Sequence, residues 1–203
     1  MVETQAPEMR YHLLRQEDRQ REQVLAMATT MVSLLDLRDS YTGGHSARVA
    51  EYSQAIALRL GLDSQNLDTV VMAAAIHDIG KIGVPDQVLL KQGRLTEEEY
   101  ECIKKHSEFG WMVLRNISGF EEAGLMLLHH HERLDGRGYP GELSGNAIPL
   151  GSRIIAVADT FDALTTNRPY RTARTEEFAL DEIRRCAGTQ FDPEIVEAFL
   201  QTR

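Results

Sequence analysis

The chain has few of the features that mark secreted, membrane-spanning or polyanion-binding proteins. Its two cysteines, Cys102 and Cys186, lie far apart without metal-type spacing, as expected of small apolar side chains in a reducing compartment. The longest apolar run, about residues 70–76, is too short for a membrane span, and no signal peptide is recognisable. Lys and Arg total 22 against 31 Asp and Glu, a net charge of −9 that argues against broad nucleic-acid binding. We therefore expect a cytoplasmic protein that binds neither membranes nor nucleic-acid polymers.

The sequence also lacks the apolar–polar alternation of β-strands. Apolar residues instead recur at helical spacing from Ser46 onward, and Gly61 fits the position after a helix end. Thr96 and Glu99 form a capping box, which marks a helix start. Further starts are predicted at Ser64, Phe120, Thr175 and Asp192, with Pro149 at a first helical position; the longer helices are predicted to end near Ile76, Arg115 and His131. The fold class predicted is all-α, with one main helical domain.

The N-terminal part is predicted to form one long helix, since neither Gly nor Pro lies between Pro7 and Gly43. Its first part is polar all round, and an apolar stripe follows at spacings of three and four: Val24, Met27 or Ala28, Met31, and Leu34 or Leu35. Two interpretations stay open, namely a solvated helix docked by its second half, or a connecting helix that forms a homodimer. We expect a helical extension at residues 1–38 and the main domain at residues 39–203.

Histidines and aspartates fall on, or at the ends of, separate predicted helices. His77 and Asp78 follow an apolar segment, and Asp159 lies within the apolar stretch IIAVADTFDAL, where an unpaired carboxylate is costly. Imidazole and carboxylate together suit divalent metals, with iron and manganese favoured by mixed nitrogen and oxygen ligands. Seven candidates exceed the needs of one ion and fit two ions that share a carboxylate, an arrangement that hydrolyses phosphate esters: His45, His77, Asp78, His106, two of the run His129–His131, and Asp159.

Several segments together resemble the HD-GYP domain of bacterial signalling proteins. They include HDIGK at 77–81, HHERLDGRGYP at 130–140 and NRPYR at 167–171, and the matching segments run in order from about residue 39 to residue 200. The resemblance implies an all-helical catalytic domain that hydrolyses cyclic di-GMP, a bacterial second messenger, to pGpG or GMP. It also implies a mechanism in which a hydroxide bridging two divalent metals attacks phosphorus.

The resemblance assigns roles to the candidate ligands. It implies metal binding by His77, Asp78, His106, His130, His131 and Asp159, with Asp78 as the bridge and His45 near or on the first metal. The register of the motif leaves His129 with a structural role. Some members hold a third metal through a Glu four residues before the first His, but Tyr41 stands there in this chain, so we expect two. This departure leaves the final product open.

Three cations are expected to contact the substrate. Lys81 shares a face with Asp78 and matches the family's contact to the scissile phosphate, so Asp78 and Lys81 are the predicted catalytic residues. Arg168 and Arg171 match the family's substrate-binding segment, with Arg171 in place of the more usual Lys; guanidinium also grips phosphate. These cations make an anionic substrate compatible with an acidic chain.

The segment Asp135–Gly145, with its several glycines, is predicted to be a loop. The resemblance implies that it forms a wall of the site and a surface for regulatory proteins, and Glu132 and Asp135 are expected to orient the histidine pair. Two alternative functions stay open: an HD hydrolase of another cyclic dinucleotide, and a catalytically silent module that senses a ligand or binds partners.

Overall fold

The computed structural model describes residues 19, 23, 25–34, 44–167 and 172–203. Across these ranges the secondary structure is helical, and apart from two isolated bridges no β-structure is present, so the predicted all-α class is confirmed. The helices are α1 His45–Arg59, α2 Ser64–Ala75, α3 Asp86–Leu89, α4 Glu97–Lys104, α5 His106–Leu114, α6 Glu121–Leu128, α7 Leu150–Thr165, α8 Glu176–Arg185 and α9 Pro193–Leu200, with 3₁₀ turns at Ile79–Gly83 and Gly145–Ala147. None of the helices described has the length and apolar character needed to cross a membrane.

Helices α1, α2 and α7 form the centre of the packing. Helix α1 lies against α2 and α7, α6 lies against α2 and α5, and the turn Ile79–Gly83 lies against α5; α8 and α9 both contact α7. The core between them is largely aliphatic, and it includes the fully buried Ile56, Leu127 and Ile155. Burial of each such side chain contributes about 1.5–3 kcal/mol, which fixes the helices that carry the predicted ligands.

Most predicted helix starts lie within one residue of those observed. Thr96 and Glu99 form the reciprocal capping box, Thr175 caps α8 through Phe178 N, and Asp192 caps α9. Gly61 adopts φ 74° just after α1, as a glycine at a helix end does. Two starts differ: Asp63, not Ser64, caps α2 by accepting from Asn66 N, and Pro149 is the N-cap of α7 rather than its first residue.

Two predicted helices end earlier than the sequence pattern indicates. The helix predicted to run to Arg115 is interrupted at Lys105, directly before His106. The helix predicted to reach His131 ends at Leu128, so the triplet His129–His131 lies beyond it. Both breaks occur where a histidine side chain bonds to a nearby backbone carbonyl, as described below.

The N-terminal segment docks on the core through part of the predicted stripe. Residues 25–34 are helical, and Ala28 and Val32 are buried in the same core cluster as α1, α2 and α7. Met27, Met31 and Leu34 are exposed, so Ala28 is the packed residue where the prediction left Met27 or Ala28 open, and Val32 packs in place of Met31. Val24, Leu35 and the expected domain boundary at residues 38 and 39 lie outside the described residues.

Candidate metal centre

Side chains from separate helices and turns converge in two neighbouring groups that suit metal ions. One group contains His45, His77 and Asp78, and the other contains His106, His130 and His131. Within each group, one nitrogen or oxygen atom from every residue lies within 4.8 Å of the others. The two groups hold six of the seven predicted ligands. They include His130 and His131, the two histidines that the register of the motif selected from the triplet His129–His131.

Three of the histidines are oriented by the same local bond. Nδ1 of His77 lies 2.8 Å from Ala74 O, Nδ1 of His106 lies 2.7 Å from Ile103 O, and Nδ1 of His130 lies 2.5 Å from Leu127 O. Each carbonyl can only accept, so Nδ1 carries the proton and donates it. The lone pair is then on Nε2, which is the atom that faces the other candidate ligands.

These bonds also explain the early helix ends. Each histidine bonds a carbonyl three residues earlier, next to or inside the last turn of a helix. At the break before α5, Ser107 Oγ also donates to Lys104 O. Side-chain donors thus satisfy helix-terminal carbonyls, and the chain can leave the helix where the histidine is needed.

Asp78 lies between the two groups. Its Oδ1 is 3.6 Å from His106 Nε2, while its Oδ2 is 3.5 Å from His77 Nε2 and 3.8 Å from His45 Nε2. The side chain is only 10% exposed, and Lys81 Nζ donates to Oδ2 at 2.6 Å. The 3₁₀ turn has three residues per turn, which brings Asp78 and Lys81 to one side of it. Because its two oxygens face different groups, Asp78 has the disposition of a bridging carboxylate.

Asp159 and Asp162 hold His45 from opposite sides. Asp159 Oδ1 lies 3.3 Å from His45 Nε2, and Asp162 Oδ2 lies 2.7 Å from His45 Nδ1. Arg48 also binds Asp162, with Nε 2.5 Å from Oδ1 and Nη2 3.0 Å from Oδ2. His45 is therefore oriented by a carboxylate rather than by a backbone carbonyl, unlike the other three histidines.

The electrostatic environment favours the ionised form of the site carboxylates and the neutral form of His106, His130 and His131. Burial alone would raise the pKa of Asp78, but Lys81 and the neighbouring histidines hold it well below its usual range. Burial lowers the pKa of His131 to about 3 and also lowers the pKa values of His130 and His106. Neutral imidazole and ionised carboxylate are the forms that bind metals.

His45 differs in this respect. Burial lowers its pKa, but hydrogen bonds to Asp159 and Asp162 outweigh that effect and raise the pKa to about 10. A cation is thus favoured between Asp159 and Asp78, on the Nε2 side of the ring. A divalent ion satisfies the same electrostatic demand, since a ligating imidazole gives up that proton.

The residues present fit a pair of divalent ions. Five imidazoles offer a ring nitrogen, the carboxylates of Asp78 and Asp159 offer oxygen, and the donor set of nitrogen and oxygen suits iron, manganese or zinc. Asp78 is buried and the side chain of Asp159 is only 20% exposed, so a metal ion offsets the cost of keeping both carboxylates ionised.

Apart from His77, the convergent side chains line a cavity of about 410 Å³. Lys81 also lines it, together with polar and aromatic residues: Tyr100, Arg133, Arg137, Tyr139 and Gln190. Tyr139, the tyrosine of the GYP segment, stacks on His131 with ring centroids 4.8 Å apart. The cavity therefore offers cations and aromatic faces beside the metal-type ligands, a combination that suits a nucleotide.

The loop after the histidine triplet is held by Glu132, and Asp135 also accepts from the backbone N–H of Arg137 at 3.2 Å. The buried Glu132 carboxylate accepts from Gly141 N at 2.7 Å and Leu143 N at 3.1 Å, and it lies 3.2 Å from His129 Nδ1. The expectation that Glu132 orients the histidine pair is therefore wrong, because its partners are His129 and the loop backbone. Asp135 pairs with Arg133 and likewise contacts neither ligand.

Sequence reasoning missed Asp162, Arg48 and Tyr139 as supports of the ligands. The spacing of three between Asp159 and Asp162 on a helix was the available signal, and Arg48 stands three residues after His45. Among the predicted substrate contacts, Lys81 lies in the site. Arg168 and Arg171, like Tyr41, lie outside the described residues.

Known proteins resemble this chain along most of its length. A response regulator of Xanthomonas campestris, named as the cyclic di-GMP phosphodiesterase RpfG, is 42% identical over 189 residues, covering 92% of this chain and 49% of the relative. The 3′3′-cGAMP-specific phosphodiesterase 1 of Vibrio cholerae is 43% identical over 150 residues, covering 74% of this chain and 35% of the relative. The chain thus spans about half the length, or less, of these curated relatives.

Solved structures share the fold. A cyclic GMP-AMP-specific phosphodiesterase of V. cholerae superposes with a TM-score of 0.66 at 24% identity, covering 86% of this chain and 48% of that one. The family model of the HD domain matches residues 29–195. The resemblance predicted from the motifs is thereby confirmed, and the chain belongs to the HD domain family.

Proposed function

We propose that the chain is a metal-dependent phosphodiesterase that hydrolyses cyclic di-GMP to pGpG, GMP or both. The observation that carries the proposal is the position of Asp78 between two groups of metal-type ligands, next to a cavity of about 410 Å³. The names of relatives that are 42–43% identical support a cyclic dinucleotide as the substrate class.

The proposal assigns the metal ligands to both groups and to Asp159. His45, His77, Asp78 and Asp159 would hold one ion, and Asp78, His106, His130 and His131 the other. Two bound divalent ions, iron or manganese by ligand type, supply an activated water nucleophile and neutralise charge on the phosphoryl oxygens. The backbone carbonyls that fix His77, His106 and His130 keep Nε2 available, so the chain provides the ligand geometry in advance.

Lys81 would assist the reaction electrostatically. Its ammonium group lies 2.6 Å from Asp78 and is 24% exposed toward the cavity, so it can hydrogen bond a phosphate oxygen next to the bridge. We assign Asp78 and Lys81 as catalytic residues. We also keep Arg168 and Arg171 as proposed contacts to the substrate phosphates.

The test is turnover by the full chain loaded with manganese, or with iron under anaerobic conditions. Cyclic di-GMP is the substrate, and chromatography follows pGpG and GMP. We expect product with the parent chain and at least a 100-fold slower rate with Asp78→Asn, which keeps the shape of the side chain but removes the bridging charge. Failure of the loaded parent to release either product would overturn the proposal.

A second candidate substrate is 3′3′-cGAMP, because a relative 43% identical to this chain is named for it. The same assay with 3′3′-cGAMP in place of cyclic di-GMP distinguishes the two candidate substrates. A kcat/KM at least 10-fold higher for cyclic di-GMP supports the first proposal, and the reverse ratio assigns the chain to the second substrate. The remaining alternative, a catalytically silent sensing module, predicts binding of a dinucleotide without release of product.

The expected partners and location stay predictions. A homodimer through the N-terminal helix would use its exposed apolar residues Met27, Met31 and Leu34, which recur at spacings of four and three. The loop Asp135–Gly145 remains the proposed surface for regulatory proteins. A cytoplasmic location and the division into residues 1–38 and 39–203 belong to the same set of proposals.

A further inference from the structure

A second cavity lies on the other side of α7 from the metal-type ligands. Its volume is about 350 Å³, and Tyr52, Phe161, Thr165 and Thr166 contribute to its walls. Asp162 also lines it, so this cavity and the candidate metal centre share a wall. None of the seven predicted metal ligands lines it.

Three arginines face this second cavity: Arg48, Arg174 and Arg203. Arg48 is bound to Asp162, as described above. The Asp162 carboxylate therefore has two partners, Arg48 and His45, and attracts a further cation only weakly. Glu176 is the other acid of the lining, and it lies 3.9 Å from Arg203 with 58% of its side chain exposed. Cationic groups therefore outnumber acidic ones in a chain whose net charge is −9.

The guanidinium of Arg203 lies close to three aromatic rings. Its central carbon lies 4.4 Å from the ring centroid of Tyr52, 4.5 Å from Phe161 and 5.1 Å from Phe199. Contacts of this kind stabilise a cation. The Arg203 side chain remains 25% exposed, and among the described residues the acid paired with it is Glu176, whose Oε1 lies 3.9 Å from Arg203 Nη1. A guanidinium that aromatic rings support and that is still partly exposed can bind an oxyanion through its N–H groups.

Arg174 provides a second donor group. Its backbone N–H is bonded to Leu164 O, which fixes the residue at the end of α7, and its side chain is exposed over Phe178 at 5.4 Å. Within the described residues no acceptor is recorded for its guanidinium. Thr165 and Thr166 also line the cavity, but their hydroxyls are already engaged. Thr165 Oγ1 donates to Phe161 O, and Thr166 Oγ1 donates to Asp162 and accepts from Arg48.

We propose that this second cavity binds a phosphate-class oxyanion, either free phosphate or the phosphate group of a nucleotide, through Arg203 and Arg174. The inference does not depend on turnover at the metal centre. It depends on the aromatic support of Arg203, on the excess of cations and on a volume that admits a mononucleotide phosphate. Arg48 is not assigned as a ligand, because it already holds Asp162 in place.

The test uses the full chain as the Asp78→Asn variant in the presence of a chelator, so that phosphate binding at metal ions is removed. Inorganic phosphate and GMP are titrated separately, while NMR follows the Nε–Hε signals of Arg174 and Arg203. We expect saturable shifts of both signals. Equal affinity for the two probes identifies free phosphate as the ligand class, and tighter binding of GMP identifies a nucleotide.

Two variants and one control complete the test. Arg203→Gln and Arg174→Gln should each weaken binding about 10-fold, as expected for loss of a charge-assisted hydrogen bond. Arg184→Gln, on the exposed side of α8, removes the same charge and should change affinity less than twofold. Arg174 packs only over Phe178, so its variant remains informative if Arg203→Gln fails to fold. Unshifted arginine signals, or equal losses in the control, would overturn the inference.

Discussion

Individual histidines in this protein differ in what orients them, and the difference has consequences. His77, His106 and His130 each donate Nδ1–H to a carbonyl three residues earlier, so their orientation follows from the local backbone. His45 depends on the side chain of Asp162, which is buried and reaches it from α7. The position of His45 is therefore the one most easily disturbed by a single distant substitution.

We predict that Asp162→Asn weakens binding of manganese by about 10–100-fold, the usual effect of removing a group that orients a metal ligand. The neutral amide no longer stabilises His45 Nδ1–H or pairs with Arg48. Calorimetric titration with Mn²⁺ measures the affinity, and the unfolding midpoint of the metal-free chain is recorded separately. The matched control is Asp181→Asn on α8, whose side chain is 67% exposed. An affinity equal to that of the control would show that Asp162 does not position His45.

The residue scale also shows why sequence reasoning found the ligands but not their supports. His77, Asp78 and the other predicted ligands can be recognised in the sequence, because each is a charged or metal-binding residue beside or within an apolar helical segment. Asp162 lies on the same helix as Asp159 but acts through a contact with His45, 117 residues away along the chain. The spacing of three from Asp159 marks Asp162 as a candidate neighbour of the site, but its contact with His45 is set by packing and is not visible in the local sequence.

At the scale of elements, the close approach of the turn Ile79–Gly83 to α5 positions the two ligand groups. A Cβ at Gly80 would lie 1.8 Å from His106 O and 2.5 Å from Gly110 N. Only a residue without a side chain can therefore occupy this position. The glycine of HDIGK is explained by this packing of turn against helix, which brings Asp78 next to His106.

We predict that Gly80→Ala destabilises the fold by at least about 3 kcal/mol, because the clash is with backbone atoms that cannot move independently. For a chain of this size, that corresponds to a fall in Tm of roughly 6–12 °C. Thermal unfolding followed by circular dichroism measures it. Gly151→Ala is the control, since its Cβ would meet the flexible side chain of Met126, and we expect a change within about 1 kcal/mol. Equal effects of the two substitutions would contradict this explanation.

Element boundaries were predicted well where a cap defines them and poorly beside the ligands. The Thr96–Glu99 box, Thr175 and Asp192 all cap helices as the sequence indicates. The ends near His106 and His131 were misplaced because helical periodicity continues through them. The competing interaction, an imidazole bonded to a helix-terminal carbonyl, depends on the orientation that the histidine adopts in the site.

At the scale of the whole molecule, the predicted metal centre connects elements that are far apart in sequence. Its ligands come from α1, the turn after α2, α5, the segment after α6, and α7. The all-α class and the convergence of these ligands followed from composition, spacing and family resemblance. The second cavity and the choice of Ala28 over Met27 as the packed residue did not, because both are decided by how helices pack.

The central claim is that hydrolysis requires two ions shared by Asp78, and a stoichiometric metal titration tests it most directly. The metal-free full chain is titrated with Mn²⁺ from zero to three equivalents, while bound metal and the rate of cyclic di-GMP hydrolysis are measured on the same samples. We predict that two equivalents bind and that the rate rises mainly with the second, because each ion contributes charge at one side of the phosphate. Full activity with one equivalent, or with none, would contradict the account.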